Sequence, residues 1–184
     1  MKILSALVLY TCLMLGANAA SADLAAIAEM REGDMKKLVI HAGPRDVSQT
    51  PFETVGGDSG TLADYRGKIV VLNFWATWCA PCKAEMPGLQ ALQDTLGAEG
   101  LEVVTIAFGR HNPMQMKRFW DAAGITSLPL HLDPGTELAR AFGVKGLPHS
   151  FVLNPAGEVI ADLPGEADWA AAETVSLLRS ILAD

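Results

Sequence analysis

The 184-residue sequence is poor in cysteine, in basic residues and in cofactor-binding motifs. Its three cysteines are too few for a disulfide-stapled scaffold or a four-thiolate zinc site. Lys and Arg number 14 against 21 Asp and Glu, giving a formal net charge of -7 at pH 7. Because a phosphate-binding surface needs the opposite sign, we expect no nucleic-acid partner. The sequence also lacks a dinucleotide, flavin or P-loop motif, so we expect no cofactor and no metal.

What the sequence does have is a high share of apolar residues. Half of its residues are hydrophobic and 19% are charged, a balance that excludes a disordered chain. The length suits one domain with a substantial core and leaves too little chain for two ordinary domains. We expect this single domain to be a monomer.

Residues 1–22 have the pattern of a secretory signal peptide. Lys2 supplies a positive start, an apolar run of 13 residues follows it, and two Ala-x-Ala sites end the segment. A bilayer-spanning helix needs about 20 apolar residues, so this run is short for a permanent anchor. We therefore expect a cleaved signal and a periplasmic protein; the alternative is an uncleaved membrane anchor. Cys12 leaves with the signal, so the mature chain keeps Cys79 and Cys82.

The remaining chain divides into a segment at 23–47, expected to be flexible or partly helical, and a domain at 48–184. Apolar runs, helical spacing and Gly or Pro boundaries predict alternating strands and helices in that domain. The predicted strands lie near Phe52–Val55 and at Ile69–Trp75, Leu101–Phe108, Leu128–Leu132, Ser150–Leu153 and Glu158–Leu163. The predicted helices run over Cys79–Leu96, from Pro113 to about Ala123, from Asp133-Pro134 to before Gly143, and over Ala167–Leu182. This order predicts an α/β fold with a central mixed sheet flanked by helices.

The candidate site is the run Cys79-Ala-Pro-Cys82, which directly follows a buried strand and opens a helix. Cys79 stands at the helix N-terminus, where the dipole and unpaired amides favour an anion and therefore its thiolate. Cys82 follows almost one turn later, so its sulfur returns beneath the first, and Pro81 suits the first turn. The pattern predicts an exposed nucleophile with a shielded resolving thiol behind it, a pair suited to thiol–disulfide exchange.

Two other interpretations of the cysteine pair stay open. An inert local disulfide would add little stability, because it closes so short a loop. A structural zinc site would need four ligands, and the pair supplies two thiols.

Three separated motifs resemble the exported TlpA/ResA-like branch of the thioredoxin superfamily. They are VLNFWATWCAPCKAEMP at 71–87, its lead-in LADYRGK at 62–68, and GVKGLP at 143–148. The motifs occur in the expected order, and the resemblance covers roughly residues 50–183. It implies a thioredoxin-like fold with a central helical insertion and an N-terminal strand extension.

The resemblance also implies roles for individual residues. Cys79 would be the attacking thiol, Cys82 the resolving thiol, and Pro148 a cis-proline beside which a substrate chain can lie. Glu85 would be the catalytic acidic residue that assists proton transfer; the alternative is a solvated residue in the second helical turn. The substrate-binding residues would be Trp78, Pro81, Leu147 and Pro148.

Two positions depart from the expected pattern. Asn73 stands where cytosolic thioredoxin has a buried Asp, and this favours Glu85 as the proton carrier. His149 replaces the usual Thr or Ser after the cis-proline. It would either approach the sulfur pair, where an imidazolium would favour a thiolate, or simply point to solvent or bond locally.

A further set of soft atoms lies at His111, Met114 and Met116, a combination that suits Cu(I). Against this, a helix that begins at Pro113 turns the two Met side chains about 200° apart. The alternative to a Cu(I) site is therefore that Met114 and Met116 occupy ordinary core or surface positions on that helix.

The resemblance implies a periplasmic thiol–disulfide oxidoreductase that reduces client proteins with cysteine pairs. The clients would belong to cytochrome c maturation (apocytochrome c) or to copper-centre assembly, and a membrane thiol reductase would supply the electrons. The alternative is a copper-handling protein that binds Cu(I) through Cys79 and Cys82. A thiol peroxidase is disfavoured, because Leu72 and Ala76 occupy the places of the Pro and Thr in its pattern. An oxidant of the DsbA type is disfavoured because that family inserts a larger helical domain.

Overall fold

The computed structural model describes residues 26–45, 49–54 and 56–183. The predicted signal peptide, Cys12 and Val55 lie outside these ranges. Across the described ranges, no helix combines the length and the apolar character needed to cross a bilayer.

A mixed sheet of eight strands organises the described chain, in the order β1-β8-β7-β4-β5-β6-β2-β3. Its strands are β1 (Val39–Arg45), β2 (Phe52–Glu53), β3 (Ser59–Gly60), β4 (Ile69–Trp75), β5 (Leu101–Phe108), β6 (His131–Asp133), β7 (His149–Leu153) and β8 (Val159–Pro164). The central strands β4, β5 and β6 are parallel, and β7 runs antiparallel to β4. β8 and β1 extend that antiparallel side, and β2 and β3 close the opposite edge.

Four helices connect these strands or follow them among the described residues. They are α1 (Ala80–Leu96), α2 (Pro113–Ala122), α3 (Glu137–Phe142) and α4 (Ala172–Ala183). Short 3-10 helices lie at Gly33–Lys37, Leu62–Tyr65 and Gly97–Glu99. The predicted central insertion is therefore helical, since α2 lies between β5 and β6.

The core has one layer on each face of the sheet, because successive strand residues point to opposite faces. On β4, Val71 and Trp75 belong to the layer that α1 and α4 cover, while Leu72 and Phe74 belong to the layer that α3 covers. Every residue of β4 is buried. A continuous apolar run is thus the sequence form of a strand covered on both faces.

The predictions for β4 and β5 are confirmed with their bounds, and the mixed α/β architecture is confirmed as well. In the described part of segment 23–47, helical turns lie at residues 26–29 and Gly33–Lys37, as expected, but Val39–Arg45 forms β1. The β1 sequence VIHAGPR contains Ala, Gly and Pro, which are depleted in strands, so it carries a weak strand signal of its own. Pairing with β8 holds it in the sheet.

Two helices begin later than predicted, and each has a local cause. The carboxylate of Asp133 accepts the amide hydrogens of Glu137 and Ala139, at 3.0 and 2.8 Å, so α3 begins at Glu137 and not beside Pro134. The last helix begins at Ala172, because residues 167–171 form a loop that folds over α1. The strand predicted at Leu128–Leu132 is shorter and shifted, to His131–Asp133.

Candidate redox site

Cys79 and Cys82 form a disulfide at the N-terminus of α1. Cys79 is the N-cap residue, and its Sγ accepts a hydrogen bond from the Cys82 amide at 3.3 Å. Pro81 lies in the exposed first turn, where a missing amide hydrogen costs nothing. The first sulfur therefore sits where the helix terminus stabilises negative charge, as the sequence predicts.

The two sulfur-bearing residues are both largely covered. Cys79 is 5% exposed and Cys82 is fully buried, so the predicted order is right, but the expectation of an exposed nucleophile is wrong in degree. The Cys79 amide donates to the Ala76 carbonyl at 3.1 Å, and this turn holds Cys79 against the core. Beside it, Trp78 is 69% exposed and gives the site an aromatic rim.

The loop before β7 carries a cis peptide bond between Leu147 and Pro148. Pro148 is buried, Leu147 is half-buried, and the Pro148 carbonyl accepts the Gly165 amide at 2.9 Å. Since Phe74 of β4 pairs with His149 of β7, this loop lies at the end of the sheet where β4 leads into the cysteine loop. A cleft of about 390 Å³ borders the loop and reaches Pro164.

Glu85 lies one turn after Cys82 on the buried face of α1 and is 5% exposed. Its Oε1 accepts from Asn73 Nδ2 at 2.7 Å, and its Oε2 accepts from Trp169 Nε1 at 3.1 Å and from the Ala167 amide at 3.3 Å. Burial raises the pKa of Glu85 to about 7, because the charged form loses its hydration; the three hydrogen bonds oppose this rise. The alternative of a solvated residue is therefore wrong.

Asn73 connects Glu85 to the strand that follows the cis-proline. It is fully buried on β4, and its Nδ2 also donates to Ser150 Oγ on β7 at 2.9 Å. Because Asn73 carries a neutral amide, Glu85 does not face a second buried carboxylate at this position. Ser150, Ala167 and Trp169 are partners that the sequence analysis missed, since they lie 77 to 84 residues from the groups they contact.

A second cleft, of about 580 Å³, has Glu85 among its lining residues. Its walls come from the 3-10 helix at Gly33–Lys37, from α1, and from the loop after β8. The lining residues that carry charge are Asp34, Lys37, Glu85, Glu166 and Asp168. Glu85 therefore borders a space from which a proton can reach a buried carboxyl.

His149 bonds locally, as the alternative interpretation of this residue expects. Its Nε2 lies 2.9 Å from Asp162 Oδ2, and its ring stacks on Phe151 with centroids 4.4 Å apart. His41 Nε2 approaches the other carboxylate oxygen of Asp162 to 3.1 Å, outside hydrogen-bonding geometry. The Asp162 carboxylate thus holds the His149 ring against β8.

The soft side chains near α2 do not come together. Met114 is 64% exposed, whereas Met116 is fully buried in the core. Within the described residues, no group of three or more His, Cys, Asp or Glu side chains is arranged to hold a metal ion.

Comparison with known proteins places this site in a family. The AhpC/TSA family model matches residues 46–161. The thiol-disulfide oxidoreductase ResA of Geobacillus thermodenitrificans is 36% identical over 103 residues, which cover 56% of this chain and 58% of that relative. The thiol:disulfide interchange protein HelX of Rhodobacter capsulatus is 31% identical over 138 residues, 74% of this chain and 76% of that protein.

Solved structures agree with these relatives. A thiol:disulfide interchange protein of the thioredoxin family from Chlorobium tepidum superposes with a TM-score of 0.65 at 29% identity, covering 77% of this chain and 99% of that one. The predicted thioredoxin-like fold is thereby confirmed. The chain belongs to the AhpC/TSA family, and it has the thioredoxin-like fold of the thiol:disulfide interchange proteins.

Proposed function

We propose that this protein is a thiol–disulfide oxidoreductase that works through Cys79 and Cys82. The observation that carries the proposal is the disulfide at the start of α1, in which Cys79 Sγ accepts the Cys82 amide. An inert bridge over so short a loop would add little stability. The names of the ResA and HelX relatives support the same activity.

The chemistry is a two-step exchange that starts from the reduced pair. The Cys79 thiolate attacks a client disulfide, which forms a mixed disulfide and releases one client thiolate. The Cys82 thiolate then attacks Cys79 Sγ, which forms the intramolecular disulfide and releases the second client thiolate. The client gains two electrons, and the cysteine pair loses them.

Glu85 is the group proposed to accept the proton that leaves Cys82. It follows Cys82 by one turn on the same buried face, and its pKa of about 7 suits it to accept and release a proton near neutral pH. Asn73 and Trp169 hold the two carboxylate oxygens in place.

The client chain is proposed to lie across the rim of the site. Trp78 and Pro81 are exposed on the cysteine side, and Leu147 and Pro148 line the cleft on the other side. An extended client segment placed between the two loops would bring its disulfide to Cys79.

The setting proposed for this activity is the periplasm, reached by a cleaved signal peptide. The clients would be apocytochrome c or copper-centre assembly proteins with cysteine pairs, and a membrane thiol reductase would return the electrons to a monomeric protein. The pattern of residues 1–22 supports this setting, as does the resemblance of the motifs at 62–68, 71–87 and 143–148 to an exported branch of thioredoxin-like proteins.

The test is reduction of a model protein disulfide by the reduced protein, followed by a free-thiol assay. The wild type is expected to consume the client disulfide and to form its own in equal amount. Cys79→Ser should abolish the reaction. A chain that leaves the client disulfide intact, but holds one Cu(I) tightly through both thiols, would overturn the proposal in favour of the copper-handling alternative.

A further inference from the structure

His111 links the loop after β5 to the cysteine loop after β4. Its Nδ1 lies 3.0 Å from Thr77 Oγ1, and its Nε2 lies 3.0 Å from the Phe108 carbonyl oxygen. A carbonyl oxygen only accepts, so Nε2 carries a hydrogen. In the neutral ring, Nδ1 then accepts the Thr77 hydroxyl hydrogen. One ring nitrogen therefore has its partner in the cysteine loop, and the other has its partner at the end of β5.

The ring of His111 also contacts the last residue of β4, just before the cysteine loop. It stacks on Trp75, with centroids 6.3 Å apart and planes 9° from parallel. Trp75 is fully buried and packs against Trp120 with centroids 4.9 Å apart. One imidazole thus contacts Trp75 and Thr77, which lie four and two residues before Cys79.

The backbone around His111 is itself fixed. The next residue, Asn112, caps α2 by accepting the Met114 amide at 2.9 Å. On the other side, the Gly109 amide donates to the Asp133 carbonyl at 2.9 Å, and a φ of 84° puts Gly109 in the left-handed region that favours glycine. Hydrogen bonds on both sides therefore position His111 in the connection between β5 and α2, where it contacts the loop that follows the neighbouring parallel strand β4.

We propose that His111 is a positioning residue for the attacking cysteine, acting through Thr77. This inference rests on the proposed thiol–disulfide exchange. The loop from Ala76 to Cys79 has one internal hydrogen bond, between the Cys79 amide and the Ala76 carbonyl. The Thr77–His111 bond holds the same loop from outside, and together they keep Cys79 Sγ at the helix terminus.

Loss of this bond should make Cys79 less reactive. A looser loop lets Sγ move away from the amide of Cys82, so the thiolate loses part of the stabilisation that the helix N-terminus gives. We expect Thr77→Val and His111→Gln each to lower the alkylation rate of reduced Cys79 about two- to fivefold near neutral pH, and to move its pH midpoint upward. Thr77→Ser keeps the hydroxyl and should behave like the wild type.

A double-variant cycle shows whether the two residues act through one bond. If they do, Thr77→Val combined with His111→Gln should be no slower than the slower single variant. Tyr65→Phe is the matched control, since it removes a similar hydroxyl–imidazole contact, at 2.8 Å to His131. Tyr65 packs in the core layer that α3 covers, on the opposite face of the sheet from Trp75 and Cys79. Its Cys79 midpoint should equal that of the wild type.

The outcomes separate this inference from the proposed function. A wild type that exchanges disulfides, with all variants keeping the wild-type Cys79 midpoint, would overturn the positioning role and leave the proposed function standing. Lower thermal stability with an unchanged midpoint would also overturn the positioning role, because that is what a merely structural role predicts. A wild type without exchange activity would instead overturn the proposed function.

Discussion

Replacing Glu85 by Gln should change how the stability of the oxidised protein depends on pH. Burial raises the pKa of this carboxyl from 4.5 to about 7 in the folded chain. At 1.36 kcal/mol for each pKa unit, that rise corresponds to about 3 kcal/mol. The protonated Glu85 carboxyl adds this amount to the unfolding free energy; the contribution is fully present below pH 4.5 and is lost as the pH rises through about 7.

The sign follows from which state ionises first. Between these pH values the unfolded chain releases the Glu85 proton while the folded chain keeps it, so unfolding becomes easier as the pH rises. Glu85→Gln has no proton to release. From about pH 4 to about pH 8, the wild type should therefore lose about 3 kcal/mol of unfolding free energy relative to the variant.

Urea unfolding of the oxidised proteins across this range measures the difference. The matched control is Glu137→Gln, at an exposed position at the start of α3, and its profile should stay within about 1 kcal/mol of the wild-type profile across the range. A Glu85→Gln profile that runs parallel to the wild type would refute the reasoning, because it would mean that Glu85 ionises alike in the folded and unfolded chains.

Three further results are expected. Trp169→Phe removes the indole N–H that donates to Glu85 Oε2 at 3.1 Å. That hydrogen bond favours the charged carboxylate, so its loss should raise the pH at which Glu85 ionises by about one unit, as followed by the carboxyl NMR signal of Glu85. An unchanged titration would remove Trp169 from the network. Trp78→Ala should change the unfolding free energy by less than about 0.5 kcal/mol, because the side chain is 69% exposed, yet slow client reduction; equal client rates would mean that Trp78 does not touch the client. In the reduced wild type, Cys79 should be alkylated at a lower pH than Cys82, and coincident midpoints would contradict the helix-terminus argument.

The parts of the fold that could be predicted are those with a local signal. β4 and β5 are largely apolar runs that begin shortly after Gly67 and Gly100, so both their type and their starts are readable. The Cys79 N-cap is readable for the same reason, since the strand, the cysteine pair and Pro81 follow one another directly. The residues of β1 do not themselves predict a strand, because β1 is held by β8 far along the chain.

The same distinction separates the predicted and the missed parts of the site. Helical spacing places Glu85 on the same face as Cys82, but spacing alone could not decide between a solvated and a buried carboxyl. What covers Glu85 is the loop with Ala167 and Trp169, 82 and 84 residues away. The contact between Thr77 and His111 spans 34 residues and likewise has no local signature.

The central claim is that Cys79 attacks a client disulfide and that Cys82 resolves the product. Reduced Cys82→Ser, mixed with a protein that carries a disulfide, tests it most directly by non-reducing mass spectrometry. We predict one covalent adduct, joined through Cys79 and released by reductant, with no such adduct for Cys79→Ser. If Cys82→Ser forms no adduct with its thiol accessible to alkylation, the account of this site as a thiol–disulfide exchange centre is contradicted.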